Sequence, residues 1–382
     1  MNNATTLYCD LNAFSQKYET IHGQLSFVVC ILGSIANVLN ICVLTTKEMR
    51  WPTNMILTGL AISDLLVMLE YIPFTIHRYI NIAGHKYIEN YSYKWALFMI
   101  FHALFSQVFH FISCCLTVIL AIWRYLAITN PHNSRRWCDA HRTIYAIMIT
   151  YLVCPVICTP LFLSLKITAY NQTCDKHGRM LNKKELLNYT EVTTKKLIYI
   201  IDYVNEDYKY TSFWLYGVVI KLVPCILLTH LSRKLIVVLL ETKKRRKTLL
   251  SSTLPLEDVY EVRPFFQKKF EKYRQADRTS GMLVAILLLF LITEFPQAIM
   301  GLLVGTKGQQ FEKECYRPLG DVMDIIALTN SGINFILYCT MSRQFRITFK
   351  EIFLLPIMNQ FAPSSQYANI DKTGEKTQIS AV

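Results

Sequence analysis

The chain has 382 residues, of which 52% are hydrophobic and 18% charged, against roughly 25% charged in an ordinary soluble protein. Its net charge of +13 would suit a nucleic-acid partner on a soluble chain. Here the charge alternates with apolar runs too long for a soluble core, so a lipid bilayer is the expected partner and nucleic acid is not.

Seven apolar runs bounded by charge follow in order: 24–46, 52–75, 95–123, 143–164, 211–232, 279–303 and 321–341. A hydrocarbon core of about 30 Å takes roughly 20 helical residues. Barrel-like alternation is absent, so each run is expected to be a helix with its backbone bonds satisfied internally. The first run lies too far in and is too long for a cleavable signal peptide, which points to an uncleaved signal anchor. The fold class is thus an all-α membrane protein built as a seven-helix bundle. The divisions are 1–23 outside, 24–341 as the membrane domain, 342–355 as a short amphipathic eighth helix, and 356–382 as a polar, disordered tail.

Orientation follows from charge. Nearly all of the basic excess falls in segments that are cytoplasmic if the N-terminus is outside, including Lys243-Lys244-Arg245-Arg246-Lys247. The sequons at Asn3, Asn90, Asn171 and Asn188 all fall on the opposite side, where glycosylation takes place. A plasma-membrane protein with an extracellular N-terminus and a cytoplasmic C-terminus is expected. The segment 165–210 is the longest outer loop.

Polar groups inside the spans are few and costly, which makes each a functional candidate. Asp64, Ser113, Asn330, Ser331 and Asn334 can form an oxygen-lined pocket for a small cation or a hydrated network that packs helices. On the third run His102, Ser106, Gln107, His110 and Ser113 recur at three- and four-residue steps, marking a wet face. A histidine-based metal site is the weaker reading there, since no Cys or carboxylate joins His102 and His110 at ligand spacing. Lys221 and Glu294 are lone charges just before Pro224 and Pro296. Either alone would be uncompensated, so they are expected to face each other or share a ligand.

The ordered motifs resemble those of rhodopsin-like G-protein-coupled receptors over essentially the whole length. The resemblance rests on Asn37, on Leu60-Ala61-Ile62-Ser63-Asp64, on Trp123-Arg124-Tyr125 with Pro131, and on Pro224, Pro296 and Asn334-Phe335-Ile336-Leu337-Tyr338. Trp123 before Arg124, Thr293-Glu294-Phe295-Pro296, Phe335, Met49-Arg50-Trp51-Pro52-Thr53-Asn54 and Met341-Ser342-Arg343-Gln344-Phe345-Arg346 are similar to invertebrate myosuppressin and FMRFamide-type neuropeptide receptors.

The resemblance implies roles. Arg124 and Tyr125 would meet a heterotrimeric G protein, Tyr338 would swing inward on activation, and Pro296 would bend the moving sixth helix. Asp64, Ser113, Asn330, Ser331 and Asn334 would hold an allosteric sodium ion, with no other cofactor. Trp123 cannot accept from Arg124 as the family's acid does, which leaves Asp277 as a candidate partner. Ser364, Ser365, Thr373, Thr377 and Ser380 would be phosphosites for a receptor kinase, followed by arrestin.

Only Cys9, Cys174 and Cys315 of the twelve cysteines fall outside, and the partner that the family places atop its third helix is missing. Three pairings remain, with Cys9–Cys315 preferred. The expected ligand is a peptide with an amidated Arg-Phe type ending. Glu70, Glu294 and Asp324 offer carboxylates to its guanidinium. His102, Gln107, His110 and Gln297 would take its amide groups, Tyr71, Phe74 and Tyr216 its aromatic ring, with Lys221 beside them; Asp321, Asp202, Glu206 and Asp207 form a rim. A small-amine or other non-peptide receptor is the nearest alternative, but Ser106 stands where an amine would want a carboxylate. A transporter would show repeated halves, and no catalytic set supports an enzyme.

Overall fold

The computed structural model describes residues 8–81, 88–181, 186, 193–252 and 263–357, with most side chains of 249–283 outside the description. Among the described residues, seven helices are long and apolar enough to cross a membrane: α1 Asn12–Leu44, α2 Pro52–Ile80, α3 Tyr93–Thr129, α4 Ala140–Leu163, α5 Glu206–Arg245, α6 Val284–Lys307 and α7 Gln309–Met341. A short helix α8, Arg343–Phe349, follows. The chain is a seven-transmembrane helix bundle. The outer face of α4 shows why a bilayer is needed: Leu152 is 66% and Val156 69% exposed, an apolar surface that water would not tolerate at this scale.

Each helix packs on its sequence neighbours or closes the ring. The α1 helix lies against α2 and α7, α3 against α2, α4 and α5, and α6 against α5 and α7. Small residues set the closest approaches. A Cβ on Gly217 of α5 would stand 3.0 Å from the carbonyl carbon of Gly301 on α6, so these two helices meet backbone to backbone. The core fills the half of the bundle near α8, where Ile112, Leu116 and Leu120 of α3 pack with Leu228, Ile286, Phe290 and Tyr338.

Several helices outrun their apolar stretches. The α1 helix begins at Asn12, since His22 and Gly23 are buried against α2: His22 Nε2 lies 3.2 Å from the Tyr71 hydroxyl, and any Cβ on Gly23 would collide with Tyr79. The α7 helix starts with a wide turn at Glu312–Tyr316. The Cys9–Cys315 disulfide ties that turn to the N-terminal segment, and Glu312 meets Lys209 of α5 at 3.1 Å and Arg317 at 2.7 Å. In α5, the π turn Leu215–Leu222 ends two residues before Pro224. Proline crowds the carbonyl four residues back, here Ile220, and the wider turn makes room for it.

The long loop differs from a plain connection. Leu165–Cys174 (β1) and Thr194–Tyr203 (β2) pair antiparallel, from Leu165 opposite Tyr203 to Cys174 opposite Thr194. β-Branched and aromatic residues at Ile167, Thr168, Tyr170, Ile198, Tyr199 and Ile201 favour this pairing. Asn171 lies exposed on β1; Asn3, Asn188 and the side chain of Asn90 are outside the described residues, as are the tail serines and threonines. Cys174 is a buried free thiol.

Candidate functional site

A cavity of about 200 Å³ lies among α2, α3, α5, α6 and α7, in the half of the bundle nearer the hairpin. Its wall includes Tyr71, His102, Ser106, Gln107, His110, Tyr216, Lys221, Gln297 and Asp324. The polar stripe on α3 thus faces a wet interior, because residues three and four apart share a helical face. Two expected acids stand one shell behind the wall. Glu70 is buried and holds His102 Nδ1 with both oxygens, at 2.8 and 2.9 Å. Glu294 is fully buried and reaches the cavity through Lys221, whose Nζ donates to Glu294 Oε2 at 2.6 Å and to Gln297 Oε1 at 2.8 Å.

Asp324 is the acid that opens directly onto the cavity. Its Oδ2 accepts from the Tyr71 hydroxyl at 3.3 Å, and the residue remains exposed. Phe74 does not line the cavity: its ring stacks on His102 with centroids 3.9 Å apart, fixing the imidazole over Glu70. The rim acids are engaged elsewhere. Asp321 accepts from Tyr79 at 2.7 Å, Asp202 from Tyr170 at 3.4 Å and Glu206 from Gln309 at 2.9 Å. Asp207 is exposed in the first turn of α5.

Below this cavity, a second void of about 10 Å³ is bounded by Asp64, His110, Ser113, Asn330, Ser331 and Asn334. It is about the size that one water takes. Ser113 donates to Asp64 Oδ1 at 3.0 Å and Asn334 Nδ2 to Asp64 Oδ2 at 3.2 Å, and Ser63 lies 2.7 Å from Ser113. Among the described residues no basic side chain pairs with Asp64. The Asp64 carboxylate and the hydroxyl oxygens of Ser113 and Ser331 along this void are the groups that would hold a sodium ion, while Asn334 presents its Nδ2 to Asp64.

At the far end, Arg124 is half-buried and its Nε has no partner among the described residues. The side chain of Asp277 is outside the described residues. Trp123 turns away and donates from Nε1 to Thr143 of α4 at 3.0 Å. Tyr125 lies under Lys234 of α5, 5.9 Å from its Nζ. Tyr338 is 1% exposed, with its ring 5.4 Å from that of Phe345 at the start of α8. Pro296 sits within the uninterrupted helix Arg263–Lys307.

One residue escaped the sequence reading. Cys114 is buried beside His110 and Glu294, and the three ligand atoms lie within 4.8 Å of one another. The expectation that no Cys stands at ligand spacing from these histidines is corrected for His110, because Cys114 lies four residues on along the same helical face; the carboxylate comes from α6, which sequence spacing does not show.

A ring of seven membrane helices around a polar cavity, with a buried ionic link between α5 and α6, defines a seven-helix membrane receptor. The chain belongs to the serpentine-type seven-transmembrane G-protein-coupled chemoreceptors of the Srw family, whose family model matches residues 24–356. It is similar to the G-protein coupled receptor dmsr-1 of Caenorhabditis elegans, 33% identical over 88% of this chain and 69% of that one. It also resembles the sex peptide receptor of Drosophila melanogaster, at 29% over 92% and 76% of the two chains. Sex peptide receptor-related protein 2 of Caenorhabditis elegans is 28% identical over 90% and 73%. Membership makes the chain a multi-pass signalling receptor that works through a G protein, and not an enzyme.

Proposed function

We propose that this receptor binds a neuropeptide with an amidated Arg-Phe or myosuppressin-like ending and passes that event to a heterotrimeric G protein. The observation that carries this reading is the cavity wall itself. Asp324 offers an open carboxylate for a guanidinium, with Gln107, Gln297 and His110 as donors and acceptors for an amide cap deeper in. Tyr71 and Tyr216 supply flat apolar surface between them. The similarity to a receptor named for a sex peptide supports a peptide over a small amine, as does the absence of a carboxylate on α3 among the cavity residues.

In this reading the N-terminus and the hairpin are extracellular, and the 46–51 turn, α8 and the tail are cytoplasmic. Glycans would sit on Asn3, Asn90, Asn171 and Asn188. Ligand binding drives signalling only to the extent that it favours the open bundle over the closed one. The moving part is α6, bent at Pro296, whose outward swing would uncover Arg124 and Tyr125 while Tyr338 turns in. A receptor kinase and arrestin would then act on the tail. The bound sodium ion would favour the closed arrangement.

The test is G-protein activation in cells expressing the chain, across paired amidated and free-acid peptides. Response to amidated Arg-Phe peptides, with a shift of at least tenfold in potency for Asp324→Asn, supports the reading. Equal response to acid and amide forms removes the amide cap from it. Silence with verified surface expression removes the ligand class.

A further inference from the structure

His110 and Cys114 stand one turn apart on α3, so both side chains leave the same face, and Glu294 approaches from α6. Glu294 is 0% and Cys114 1% exposed. His110 Nε2 and Glu294 Oε1 are 2.8 Å apart, yet neither atom makes an aligned hydrogen bond. The other carboxylate oxygen, Oε2, is held by Lys221, which fixes the carboxylate with Oε1 turned toward His110 and Cys114.

We propose that His110, Cys114 and Glu294 form a binding site for a divalent cation of the zinc class, joining α3 to α6. An imidazole nitrogen, a thiolate and a carboxylate oxygen make the borderline-soft set that tetrahedral zinc takes; calcium and magnesium would require oxygen ligands. Bonds of about 2.0–2.3 Å place tetrahedral ligand atoms roughly 3.3–3.8 Å apart. The three atoms here already lie within 4.8 Å of one another, so side-chain rotation closes the remaining gap. His110 also lines the cavity, the side from which a water or a ligand atom would complete the set.

The charge balance works. A metal takes the neutral imidazole and the thiolate, so the dication enters as the proton of the Cys114 thiol and any proton on His110 Nε2 leave to solvent, while Lys221 keeps its hold on Glu294 Oε2. The nearby thiols Cys115 and Cys154, 3.8 Å apart, bring no imidazole or carboxylate and serve as controls. A cation tying α3 to α6 resists their separation, so zinc should depress the response to agonist; that consequence rests on the proposed receptor function, whereas binding does not.

The experiment titrates the purified full-length chain in detergent with Co²⁺, followed by Zn²⁺. Expected are visible bands of tetrahedral cobalt with a near-ultraviolet thiolate-to-cobalt band, saturating at one equivalent and erased by zinc. Cys114→Ser should lose the thiolate band, Cys115→Ser keep it, and His110→Asn weaken binding at least tenfold. No band in the unsubstituted chain, or a band that survives Cys114→Ser, overturns the proposal. Should Cys114→Ser not fold, Co²⁺ titration of His110→Asn decides the matter: affinity weakened at least tenfold supports the site, and unchanged affinity overturns it. In cells, zinc should lower maximal G-protein activation at least twofold in the unsubstituted receptor. Failure of every peptide to signal counts against the proposed ligand alone and leaves the cobalt result standing.

Discussion

Lys221 of α5 and Glu294 of α6 meet 2.6 Å apart with side chains 2% and 0% exposed, Glu294 standing two residues before Pro296. The ammonium also donates to Gln297, whose Nε2 in turn donates to the Met323 carbonyl of α7 at 3.0 Å. One charged contact therefore links three helices. Removing Glu294 leaves Lys221 buried and uncompensated, which costs about 3–5 kcal/mol, whereas removing Lys221 leaves Glu294 with His110 alone, 2.8 Å away. Glu294→Gln and Lys221→Met are each expected to lower the unfolding temperature of the detergent-solubilised chain markedly. The Lys221→Met/Glu294→Gln double substitution should recover part of the loss. Additive losses in the double variant would show that the two residues act separately.

How far the sequence reveals this arrangement depends on the kind of signal. The seven spans are legible because about 20 apolar residues in a row have few other uses, and the facing of Lys221 and Glu294 follows from the cost of a lone buried charge. The ends are less legible: α1 starts at Asn12 because His22 and Gly23 find partners on α2, a tertiary cause that hydropathy does not register. The β1–β2 hairpin was hidden among lysines and tyrosines in a segment that reads as loop. At the site, the α3 stripe was evident from its period, whereas Phe74 stacking on His102 and Cys114 beside Glu294 depend on how neighbouring helices are rotated.

The contact between Gly217 and Gly301 predicts a sharp contrast among glycines. A side chain at Gly217 meets backbone atoms of Gly301 and Leu302 at 3.0–3.1 Å, and backbone yields poorly. Gly217→Val should force α5 and α6 apart and destabilise the bundle by about 1–3 kcal/mol. Gly320, within α7, has nothing within 4 Å of its would-be Cβ, so Gly320→Ala should stabilise by up to about 1 kcal/mol. Thermal unfolding of both variants checks this, and equal shifts in one direction would contradict the packing described.

The bond between Cys9 and Cys315 predicts non-additive losses. Tyr8 beside it donates its backbone N–H to Glu314 at 2.8 Å and packs edge-on to Phe311, so the bridge anchors a small cluster on the wide turn of α7. Cys9→Ala, Cys315→Ala and the double substitution should cost the same amount, about 2–4 kcal/mol. Mild reductant should reproduce that shift in the unsubstituted chain and leave the variants unmoved. A larger loss in the double variant would mean that the two thiols have other partners.

Asp64 carries the last prediction. Its two oxygens take hydrogen bonds from Ser113 and Asn334, which soften the cost of a buried carboxylate without neutralising it. With sodium as the missing countercharge, agonist potency should fall when NaCl replaces choline chloride at constant ionic strength, since the proposed function has the ion favour the closed bundle. Asp64→Asn removes both the charge and the need for the ion. The variant should respond equally in the two salts, and it should unfold no earlier than the unsubstituted chain in choline chloride, because it loses an uncompensated charge and not half of an ion pair. A salt effect that persists in Asp64→Asn would place the cation elsewhere. A variant that unfolds well below the unsubstituted chain in choline chloride would show that the carboxylate serves chiefly as a structural acceptor for α3 and α7.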